Sequence, residues 1–285
     1  MEKQKRVAAI HDISCFGRCS LTVALPIISA AGIETSVIPT AVLSTHTGGF
    51  TGFTYRDLTD DILPVANHWK SLGLSFDAIY TGFLGSFEQI DIVVKTFETL
   101  KDDGTLIAVD PVMADYGKLY SIFPETFPDG MRRVCEAADV IMPNMTEAAL
   151  LLHEPYHDGP HTEEEIKHIL KALADIGPKK IVLTGASYDK DTVGAASYDT
   201  ETGEFGYTKR DIILPMCHGT GDVFGSVLVA ALLKGATLAQ AAASAVDFTV
   251  ECIKRTRAAN IDERFGVIFE EGLSGLNELI EKNKK

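Results

Sequence analysis

Short apolar runs recur along the chain and alternate with longer segments in which apolar residues have helical spacing. The runs are apolar at every position, and they span 7–10, 36–38, 78–80, 106–109, 140–142 and 181–183. Strands of this kind are typical of parallel sheets that are covered on both faces. The spacing between them predicts helices at 20–31, 57–72, 86–102, 129–137, 146–152 and 162–176. This alternation predicts a three-layer α/β/α fold with a mostly parallel, doubly wound central sheet.

The pattern changes in the last third of the chain. Segments 191–199 and 205–214 flank a polar turn at 200–204, which predicts an antiparallel hairpin at the edge of the sheet. Helices are then predicted at 222–234, 237–257 and 272–283. Because no linker, low-complexity tract or internal repeat interrupts the chain, we expect residues 1–285 to form a single domain.

Charge and composition exclude several classes of protein. The 285 residues include 26 Lys and Arg against 40 Asp and Glu, for a net charge of −14. Nucleic-acid binding is therefore not expected, because neutralising phosphates requires a basic surface. No stretch approaches about 18 consecutive apolar residues, so we expect no membrane association. Five cysteines without a CxxC pair, and a start that lacks a signal-peptide core, favour reduced thiols and a cytoplasmic location.

Polar residues directly follow four of the predicted strands. Asp12 comes after the first strand, Asp110 after the fourth, Asn144 after the fifth and Thr184 after the sixth. In open parallel sheets, ligands bind beyond the carboxyl ends of the strands. A polar residue at one strand end is ordinary, but four at the same edge favour a shared ligand site.

A glycine-flanked helix start is predicted at the same edge. Gly219, Thr220, Gly221 and Asp222 precede the apolar segment 223–234. The first amides of a helix lack partners and the helix dipole is positive there, so such a start can hold an anion. Taken alone, Asp222 is interpreted as a helix cap, which contributes about 1 kcal/mol. The acids predicted elsewhere at this edge favour a functional role instead.

The oxygen atoms of Asp110, Asn144 and Glu147 suit Mg²⁺ that is held partly by water and substrate phosphates. Asn144 and Glu147 lie three residues apart at a helix start, so both can face the same side, although alone they are interpreted as a cap. A metal ion beside an anion-binding helix start fits phosphoryl transfer, in which one base takes the proton of the acceptor. Asp222 is the candidate base, and the amides of 219–221 form the candidate anion hole.

Other catalytic templates do not occur in the sequence. It contains no GxxxxGK[ST] phosphate loop, no GxGxxG motif after a first strand and no GxSxG motif. His153, His157 and His161 recur every four residues, a spacing that would suit a metal site on a helix. Pro155 and Pro160 interrupt that segment, so a loop is predicted there instead.

Four segments carry a family resemblance, namely DPVMADYGKLY at 110–120, PNMTE at 143–147, LTG at 183–185 and GTGD at 219–222. Together they resemble the pyridoxal kinase branch of the ribokinase superfamily. The last segment is shared across the superfamily, whereas the first, together with STHTG at 44–48, is typical of vitamin B6 kinases. The likeness covers nearly the whole chain and implies a ribokinase-like fold.

This resemblance implies ATP-dependent phosphorylation of the 5′-hydroxymethyl group of pyridoxal, pyridoxine or pyridoxamine. It also implies Mg²⁺, an activating monovalent cation (K⁺ or Na⁺) and a homodimer. By position, Asp222 would be the base, and Asp110 and Glu147 would organise Mg²⁺. The other implied contacts are Asn144 and Thr184 at the nucleotide phosphates, Asp115 and Tyr120 on a flap beside ATP, and His46, Thr47 and Phe83 at the substrate ring.

Two positions depart from the family pattern. Pyridoxal kinases usually have Gln-Ser-His at the end of the first strand, with the serine at the ring, whereas this chain has His11-Asp12-Ile13. An ungapped match places Asp12 at the ring, and a shifted match places Ser14 there. Asp12 could pair with a protonated ring nitrogen or with the ammonium of pyridoxamine, or it could simply bond neighbouring amides. Phe83 stands where a tyrosine is usual, so the stacking role is kept and a hydroxyl contact is lost.

Cys217 directly precedes the anion loop. Some relatives place a reactive cysteine near their bound aldehyde, but they use a second cysteine on the flap. The flap of this chain, 113–120, contains no cysteine. We therefore expect Cys217 to be a packing residue, with contact to the substrate as the alternative.

Two other functions remain open at this point. Hydroxymethylpyrimidine kinase performs the same chemistry on a thiamine precursor, but those relatives tend to carry Cys in place of Asp222 and lack the DxGKxY flap. A non-catalytic B6-binding or nucleotide-binding protein on the same fold is the second alternative. The presence of Asp222 favours an enzyme.

Overall fold

The computed structural model describes residues 3–214 and 217–284. The strands within these residues are β1 (Arg6–Ser14), β2 (Glu34–Leu43), β3 (Tyr55–Asp57), β4 (Ala78–Thr81), β5 (Leu106–Val109), β6 (Ala114–Asp115), β7 (Lys118–Leu119), β8 (Val140–Ile141), β9 (Lys180–Ala186), β10 (Thr192–Asp199) and β11 (Glu204–Asp211). The helices are α1 (Leu21–Ala30), α2 (Thr59–Ser71), α3 (Phe87–Leu100), α4 (Phe127–Glu136), α5 (Met145–Leu152), α6 (Glu163–Ala174), α7 (Thr220–Leu233), α8 (Leu238–Ala259) and α9 (Leu276–Asn283).

Nine strands form one mixed sheet in the order β11-β10-β9-β8-β5-β4-β1-β2-β3. The six strands from β9 to β2 in this order are parallel. The hairpin β10-β11 is antiparallel at one edge, as predicted, and β3 is antiparallel at the other. The chain order reverses at β1, which lies between β2 and β4. Such a switch point opens a crevice at the carboxyl ends of the strands.

Both faces of the sheet are buried, which gives the predicted three layers. Val7 and Tyr80 pack in one core with residues of α1, α7, α8 and α9. Ala8 and Ile79 pack in a second core with residues of α2 to α6. Burying one large aliphatic side chain contributes about 1.5–3 kcal/mol. The two cores therefore fix the register of the strands, and with it the positions of the strand ends.

The predicted elements are confirmed, with differences at their ends. β1 extends beyond 7–10 because the polar residues up to Ser14 remain paired with β2. β3 and the small hairpin β6-β7 are absent from the predictions because their two- or three-residue strands contain no apolar run. The segment predicted as a last helix begins as a 3₁₀ turn (Glu270–Gly275) before α9.

The series of histidines from 153 to 161 lies in an irregular segment, as predicted. His153 ends α5 in a left-handed conformation with φ of 56°. None of the helices in the described part of the chain is long and apolar enough to cross a membrane. All five cysteines are free thiols.

A buried histidine lies near the carboxyl end of β1. His11 is fully buried, and its ring packs edge-on against Tyr80 with centroids 4.6 Å apart. Neither ring nitrogen has a hydrogen-bond partner among the described residues. Burial lowers the pKa of His11 to about 3, because an imidazolium there would lose its hydration without gaining a counter-ion. His11 is therefore neutral in the folded protein at neutral pH.

We predict that His11 destabilises the protein as the pH falls below about 6.5. An unfolded histidine takes up a proton near pH 6.5, whereas folded His11 does so only near pH 3. Its contribution to the free energy of unfolding is therefore complete above pH 6.5 and decreases as the pH falls towards 3. At pH 5 the decrease is about 2 kcal/mol. Denaturant unfolding of wild type and His11→Gln between pH 7 and pH 5 measures this loss. The exposed control His68→Gln should follow wild type, and an equally steep loss in His11→Gln would contradict the prediction.

Candidate active site

Side chains from four strand ends lie along one edge of the sheet. Asp12 lies in β1, Asp110 directly follows β5, Asn144 closely follows β8 and Thr184 lies in β9. Asn144 and Thr184 are neighbours in a parallel bridge. The backbone N–H of Thr184 donates to the carbonyl of Pro143 at 2.9 Å. The two residues predicted at the nucleotide phosphates are therefore side by side.

The glycine-flanked stretch forms the start of α7. Gly219 has a φ of 76°, and a Cβ built on it would lie 1.9 Å from the carbonyl oxygen of Arg18. Only glycine fits this position, because any side chain would collide with the main chain of the turn before α1. Thr220 and Gly221 are the first residues of the helix, and their N–H groups lack intrahelical acceptors. The predicted helix start with its open amides is present.

This helix start lies against Asp110. A Cβ built on Gly221 would lie 3.8 Å from Oδ2 of Asp110, so the backbone at 221 borders that carboxyl group. Burial raises the pKa of Asp110 most, and the nearby charges of Glu147 and Asp222 raise it further. Asp110, which follows β5, and Glu147, in the first turn of α5, therefore share one cleft with the first amides of α7.

Asp222 lies in the first turn of α7 and is half-buried. Desolvation is the largest influence and raises the pKa of Asp222 to about 7. The nearby backbone of Ser20 lowers this pKa, whereas the nearby charge of Asp12 raises it. A carboxyl group with a pKa near 7 can take up and release a proton at neutral pH.

Asp110 and Glu147 are buried acids without a basic partner. Their exposed fractions are 7% and 3%, and burial raises the pKa of both. No Lys, Arg or His in the part of the chain that the structure describes forms an ion pair with either one. Uncompensated buried carboxylates fit a hard divalent cation. No group of three His, Cys, Asp or Glu side chains among the described residues could hold a metal, so such an ion would need further oxygen ligands from water or phosphate.

Glu147 and Asn144 also cap α5, as the simpler interpretation of the sequence proposed. The Asn144 side chain accepts from the Glu147 N–H, and the Glu147 carboxylate accepts from the Asn144 N–H, both at 2.9 Å. A second Glu147 oxygen accepts from the N–H of Met113 at 3.1 Å, and Asn144 Nδ2 donates to the carbonyl of Ala114 at 2.9 Å. The cap of α5 therefore also holds the segment that leads into β6. Glu147 consequently has fewer free lone pairs for a metal than Asp110.

The hairpin β6-β7 forms the flap that the resemblance implies. Its turn residues, Tyr116 and Gly117, have positive φ angles of 50° and 73°. The N–H of Gly117 donates to Oγ1 of Thr146 at 2.9 Å. Both the stem and the tip of the flap are therefore bound to the first turn of α5.

The two flap residues predicted beside ATP differ in environment. Asp115 is exposed as a residue, but partial desolvation of its carboxyl group raises its pKa, against the opposing influence of nearby His218. This part of the flap therefore lies near the segment that leads into the anion loop. Tyr120 lies in the electrostatic field of Glu147, Asp115, Asp110 and Asp222, and burial together with these charges raises its pKa. The structure thus brings Tyr120 to the acids of the cleft and leaves Asp115 at its opening.

Asp12 and Ser14, the alternative candidates for the ring contact, bond each other. Ser14 Oγ donates to Asp12 Oδ2 at 2.9 Å. Asp12 is 3% exposed, and burial raises its pKa. The register with β2 shifts between His11 and Ile13, an irregularity that redirects side chains near functional sites. Both candidates therefore belong to one hydrogen-bonded group.

The residues implied at the substrate ring lie on two separate loops. His46 is buried, its Nδ1 accepts from the N–H of Gly48 at 3.1 Å, and its Nε2 therefore donates to the carbonyl of Arg264 at 2.6 Å. With both nitrogens occupied, only the ring surface of His46 is available to a ligand. Thr47 is half-buried in the same loop. Phe83 follows β4, is half-buried, and packs against the ring of Phe123 with centroids 5.7 Å apart.

Cys217 is buried in the apolar core on the α7 side of the sheet. Its Sγ lies 3.6 Å from Nη2 of Arg257, and burial raises the pKa of the thiol. A buried thiol with a raised pKa is a weak nucleophile. This environment matches the expected packing role, and contact with the substrate stays an untested alternative.

Two residues that the sequence analysis does not identify also border the cleft. Ser20 lies close to both Asp12 and Asp222. The hydroxyl of Tyr55 lies 2.8 Å from a Cβ built on Gly85, and a ring carbon of Phe83 lies 3.8 Å from the same point. Tyr55 thus carries a hydroxyl near the phenylalanine that replaces the usual tyrosine. Neither residue belongs to a motif, so no sequence signal identifies it.

The chain is similar in sequence and structure to known proteins. The family model described as phosphomethylpyrimidine kinase matches residues 25–268. A Bacteroides thetaiotaomicron protein assigned as a phosphomethylpyrimidine kinase and crystallised with pyridoxal superposes with a TM-score of 0.91. It is 38% identical, and the match covers 96% of both chains.

Two relatives act on B6 vitamers by name. Pyridoxal kinase from Lactobacillus plantarum superposes with a TM-score of 0.87, is 32% identical, and matches over 98% of both chains. Pyridoxine kinase from Bacillus subtilis is 29% identical over 191 residues, which cover 66% of this chain and 68% of the relative. The chain therefore belongs to the phosphomethylpyrimidine kinase family and, within the ribokinase superfamily, to the pyridoxal kinases.

Proposed function

We propose that this kinase transfers the γ-phosphoryl group of ATP to the 5′-hydroxymethyl group of a B6 vitamer, namely pyridoxamine, pyridoxal or pyridoxine. The observation that carries the proposal is the position of the α7 start, whose backbone at 221 borders the Asp110 carboxyl group. Open amides, a base with a pKa of about 7 and two uncompensated acids lie together in one cleft. That combination supplies the parts which phosphoryl transfer requires.

In the proposed mechanism, Asp222 accepts the proton of the substrate hydroxyl while the hydroxyl oxygen bonds to the γ-phosphorus. The bond from that phosphorus to the bridging oxygen breaks, and ADP leaves with the electron pair. The N–H groups of Gly219, Thr220 and Gly221 stabilise the negative charge on the transferring group, because they are fixed in place before the reaction begins. The flap reduces the access of water to this cleft.

Asp110 and Glu147 are the proposed Mg²⁺ ligands. Mg²⁺ bound there would neutralise charge on the nucleotide phosphates. Asp110 is the better ligand of the two, because no hydrogen bond occupies its carboxyl group among the contacts described above, whereas backbone N–H groups occupy Glu147. Asn144 and Thr184 are proposed at the phosphates, and Asp115 and Tyr120 beside the nucleotide. A monovalent cation, K⁺ or Na⁺, is proposed as an activator.

The proposed vitamer site lies at the β1 end of the same cleft. Asp12 and Ser14 would contact the ring, with His46, Thr47 and Phe83 around it. A buried carboxylate that lacks a basic partner favours a cationic ligand. We therefore propose that Asp12 pairs with the protonated ring nitrogen or with the ammonium of pyridoxamine. A homodimer, a cytoplasmic location and a single kinase domain over residues 1–285 are further proposals.

A second candidate function is phosphorylation of hydroxymethylpyrimidine. The name of the matching family and that of the Bacteroides relative favour it. Asp222 and the flap favour the B6 vitamers instead. A coupled ADP-release assay with pyridoxal, pyridoxine, pyridoxamine and hydroxymethylpyrimidine separates the two, since the preferred substrate has the highest kcat/KM.

We predict that Asp222→Asn lowers kcat by at least about a hundredfold, because it removes the proton acceptor. Binding of the vitamer and the nucleotide should change little, since the amide keeps the shape of the side chain. The coupled assay measures turnover, and calorimetric titration measures binding. The exposed control Asp103→Asn should be as active as wild type. Unchanged turnover in Asp222→Asn would show that Asp222 is not the base.

We predict that Asp110→Asn has opposite effects on stability and activity. It removes a carboxyl group whose charged form is disfavoured by burial and by the charge of Glu147. The free energy of unfolding should therefore rise by about 1 kcal/mol. The Mg²⁺ concentration for half-maximal activity should rise by about tenfold or more. Denaturant unfolding and a Mg²⁺ titration of turnover test the two parts, with Asp103→Asn as the control. A less stable variant with normal Mg²⁺ dependence would refute the metal assignment.

We predict that Asp12→Asn raises KM for pyridoxamine by about tenfold or more, because it removes a charge-assisted hydrogen bond to a cationic substrate. KM for hydroxymethylpyrimidine should change less, since that ring is less basic. Asp12→Ser, which restores the usual residue of pyridoxal kinases, is the matched comparison and should favour pyridoxal. Equal changes of kcat/KM for all substrates would argue against an ion pair at Asp12.

A further inference from the structure

Tyr55 is an exposed tyrosine on the edge strand β3, beside the proposed vitamer site. It pairs with Leu43 of β2, and Leu43 pairs with Ser14 of β1. Residues that lie directly opposite each other in neighbouring strands project from the same face of a sheet, so Tyr55 shares a face with Ser14. The hydroxyl of Ser14 bonds the carboxyl group of Asp12 at 2.9 Å. The edge strand therefore directs Tyr55 to the face that carries both candidate ring contacts.

The side chain of Tyr55 extends to the segment that follows β4. Its hydroxyl oxygen lies 2.8 Å from a Cβ built on Gly85, and a ring carbon of Phe83 lies 3.8 Å from the same point. A side chain at position 85 would occupy the space of the hydroxyl group, whereas glycine leaves that space open. The Tyr55 hydroxyl and the Phe83 ring are therefore neighbours at this end of the cleft.

Buried hydrogen bonds fix the backbone against which Tyr55 lies. The N–H of Gly85 donates to Oε1 of Gln89 at 2.8 Å. Nε2 of Gln89 donates to the carbonyl of Thr40 at 3.1 Å and to Oγ1 of Thr59 at 3.0 Å. Gln89 is 1% exposed, and a buried network whose members all have partners is rigid. The segment after β4 is thus joined to β2 and α2, and the backbone beneath the Tyr55 hydroxyl is held in place.

The hydroxyl of Tyr55 has capacity for a ligand. Among the described residues it donates to Oδ2 of Asp57 at 3.5 Å, which is longer than a usual bond from a hydroxyl group. The other Asp57 oxygen accepts from the N–H of Thr59 at 2.7 Å. Partial burial and the charges of Asp57 and Asp12 raise the pKa of Tyr55 to about 12. The hydroxyl therefore keeps its proton at neutral pH and remains a hydrogen-bond donor.

The proposed site leaves one polar group of the vitamer without a partner. Each B6 vitamer carries a ring nitrogen, the hydroxymethyl group that is phosphorylated and a hydroxyl group attached directly to the ring. Asp12 is proposed at the cationic part of the vitamer, and Asp222 at the hydroxymethyl group. The oxygen of the ring hydroxyl ionises readily when the ring nitrogen is protonated, and it then requires a donor.

We propose that the Tyr55 hydroxyl donates a hydrogen bond to the ring hydroxyl oxygen of the vitamer, and so takes the place of the hydroxyl that Phe83 lacks. This inference rests on the proposed function. Tyr55 reaches the ring from β3, whereas a tyrosine at position 83 would reach it from the segment after β4. Both routes end beside Gly85. Hydroxymethylpyrimidine has no ring hydroxyl, so this contact makes Tyr55 a specificity-determining residue for the B6 vitamers.

The experiment measures kcat and KM for pyridoxine and for 3-deoxypyridoxine, which has hydrogen in place of the ring hydroxyl. We expect Tyr55→Phe to raise KM for pyridoxine by about tenfold, the effect of one hydrogen bond, and to leave KM for 3-deoxypyridoxine within about twofold of wild type. Adding Phe83→Tyr to Tyr55→Phe should lower the pyridoxine KM again by at least about threefold, because it supplies a hydroxyl beside the same position. Tyr198→Phe on β10, near the opposite edge of the sheet, is the matched control and should equal wild type.

Three kinetic results would overturn the inference. An unchanged pyridoxine KM in Tyr55→Phe would show that the hydroxyl makes no contact with the vitamer. An equal rise for both substrates would show that Tyr55 only shapes the pocket. A double variant without recovery would show that residues 55 and 83 do not share one hydroxyl position.

The proposed function and this inference can fail separately. If wild type phosphorylates no vitamer, the proposed function fails. Calorimetric titration of wild type and Tyr55→Phe with pyridoxine and 3-deoxypyridoxine then tests the contact without turnover. Tighter binding of pyridoxine by wild type alone would support the contact, and equal affinities for the two compounds would overturn it.

Discussion

Repulsion among carboxyl groups is the constraint that shapes the cleft. Asp12, Asp110, Glu147 and Asp222 lie along one edge of the sheet, and burial raises the pKa of each. No basic side chain in the described residues forms an ion pair with any of them. Uncompensated buried charge is destabilising, and the two apolar cores that hold the strand ends in place offset this cost. The cleft is therefore built to receive cations.

Backbone N–H groups hold one of these acids, Glu147, in place of Lys or Arg. The N–H groups of Asn144 and Met113 both donate to its carboxylate. Main-chain donors orient a carboxylate without adding a full positive charge, so they fix its position and leave its need for a counter-ion. A lysine in the same place would satisfy the acid and remove its affinity for a metal ion or a cationic ring.

The sequence was sufficient to predict the long strands and the helices in their order along the chain, although not the short strands β3, β6 and β7, because buried parallel strands and amphipathic helices have strong periodic signals. It also predicted that the ends of β1, β5, β8 and β9 share an edge, since parallel strands present their carboxyl ends together. It could not decide between a cap and a proposed Mg²⁺ ligand at Glu147, because a capping box and a metal ligand require the same residue types. The φ of 54° at Ser20, the residue before α1, has no sequence signal at all, since glycine is the residue usually associated with a positive φ.

The tie between the flap and α5 has a mechanical consequence. The stem of the flap is bonded to Glu147 and Asn144, and its tip to Thr146, so all three anchors belong to one helical turn. Lifting the flap would break bonds at both of its ends and disturb the groups that cap α5, a change worth about 1 kcal/mol for the cap alone. The hairpin and the first turn of α5 are thus coupled as one stiff unit, and a swing of the hairpin would displace the oxygen atoms beneath it.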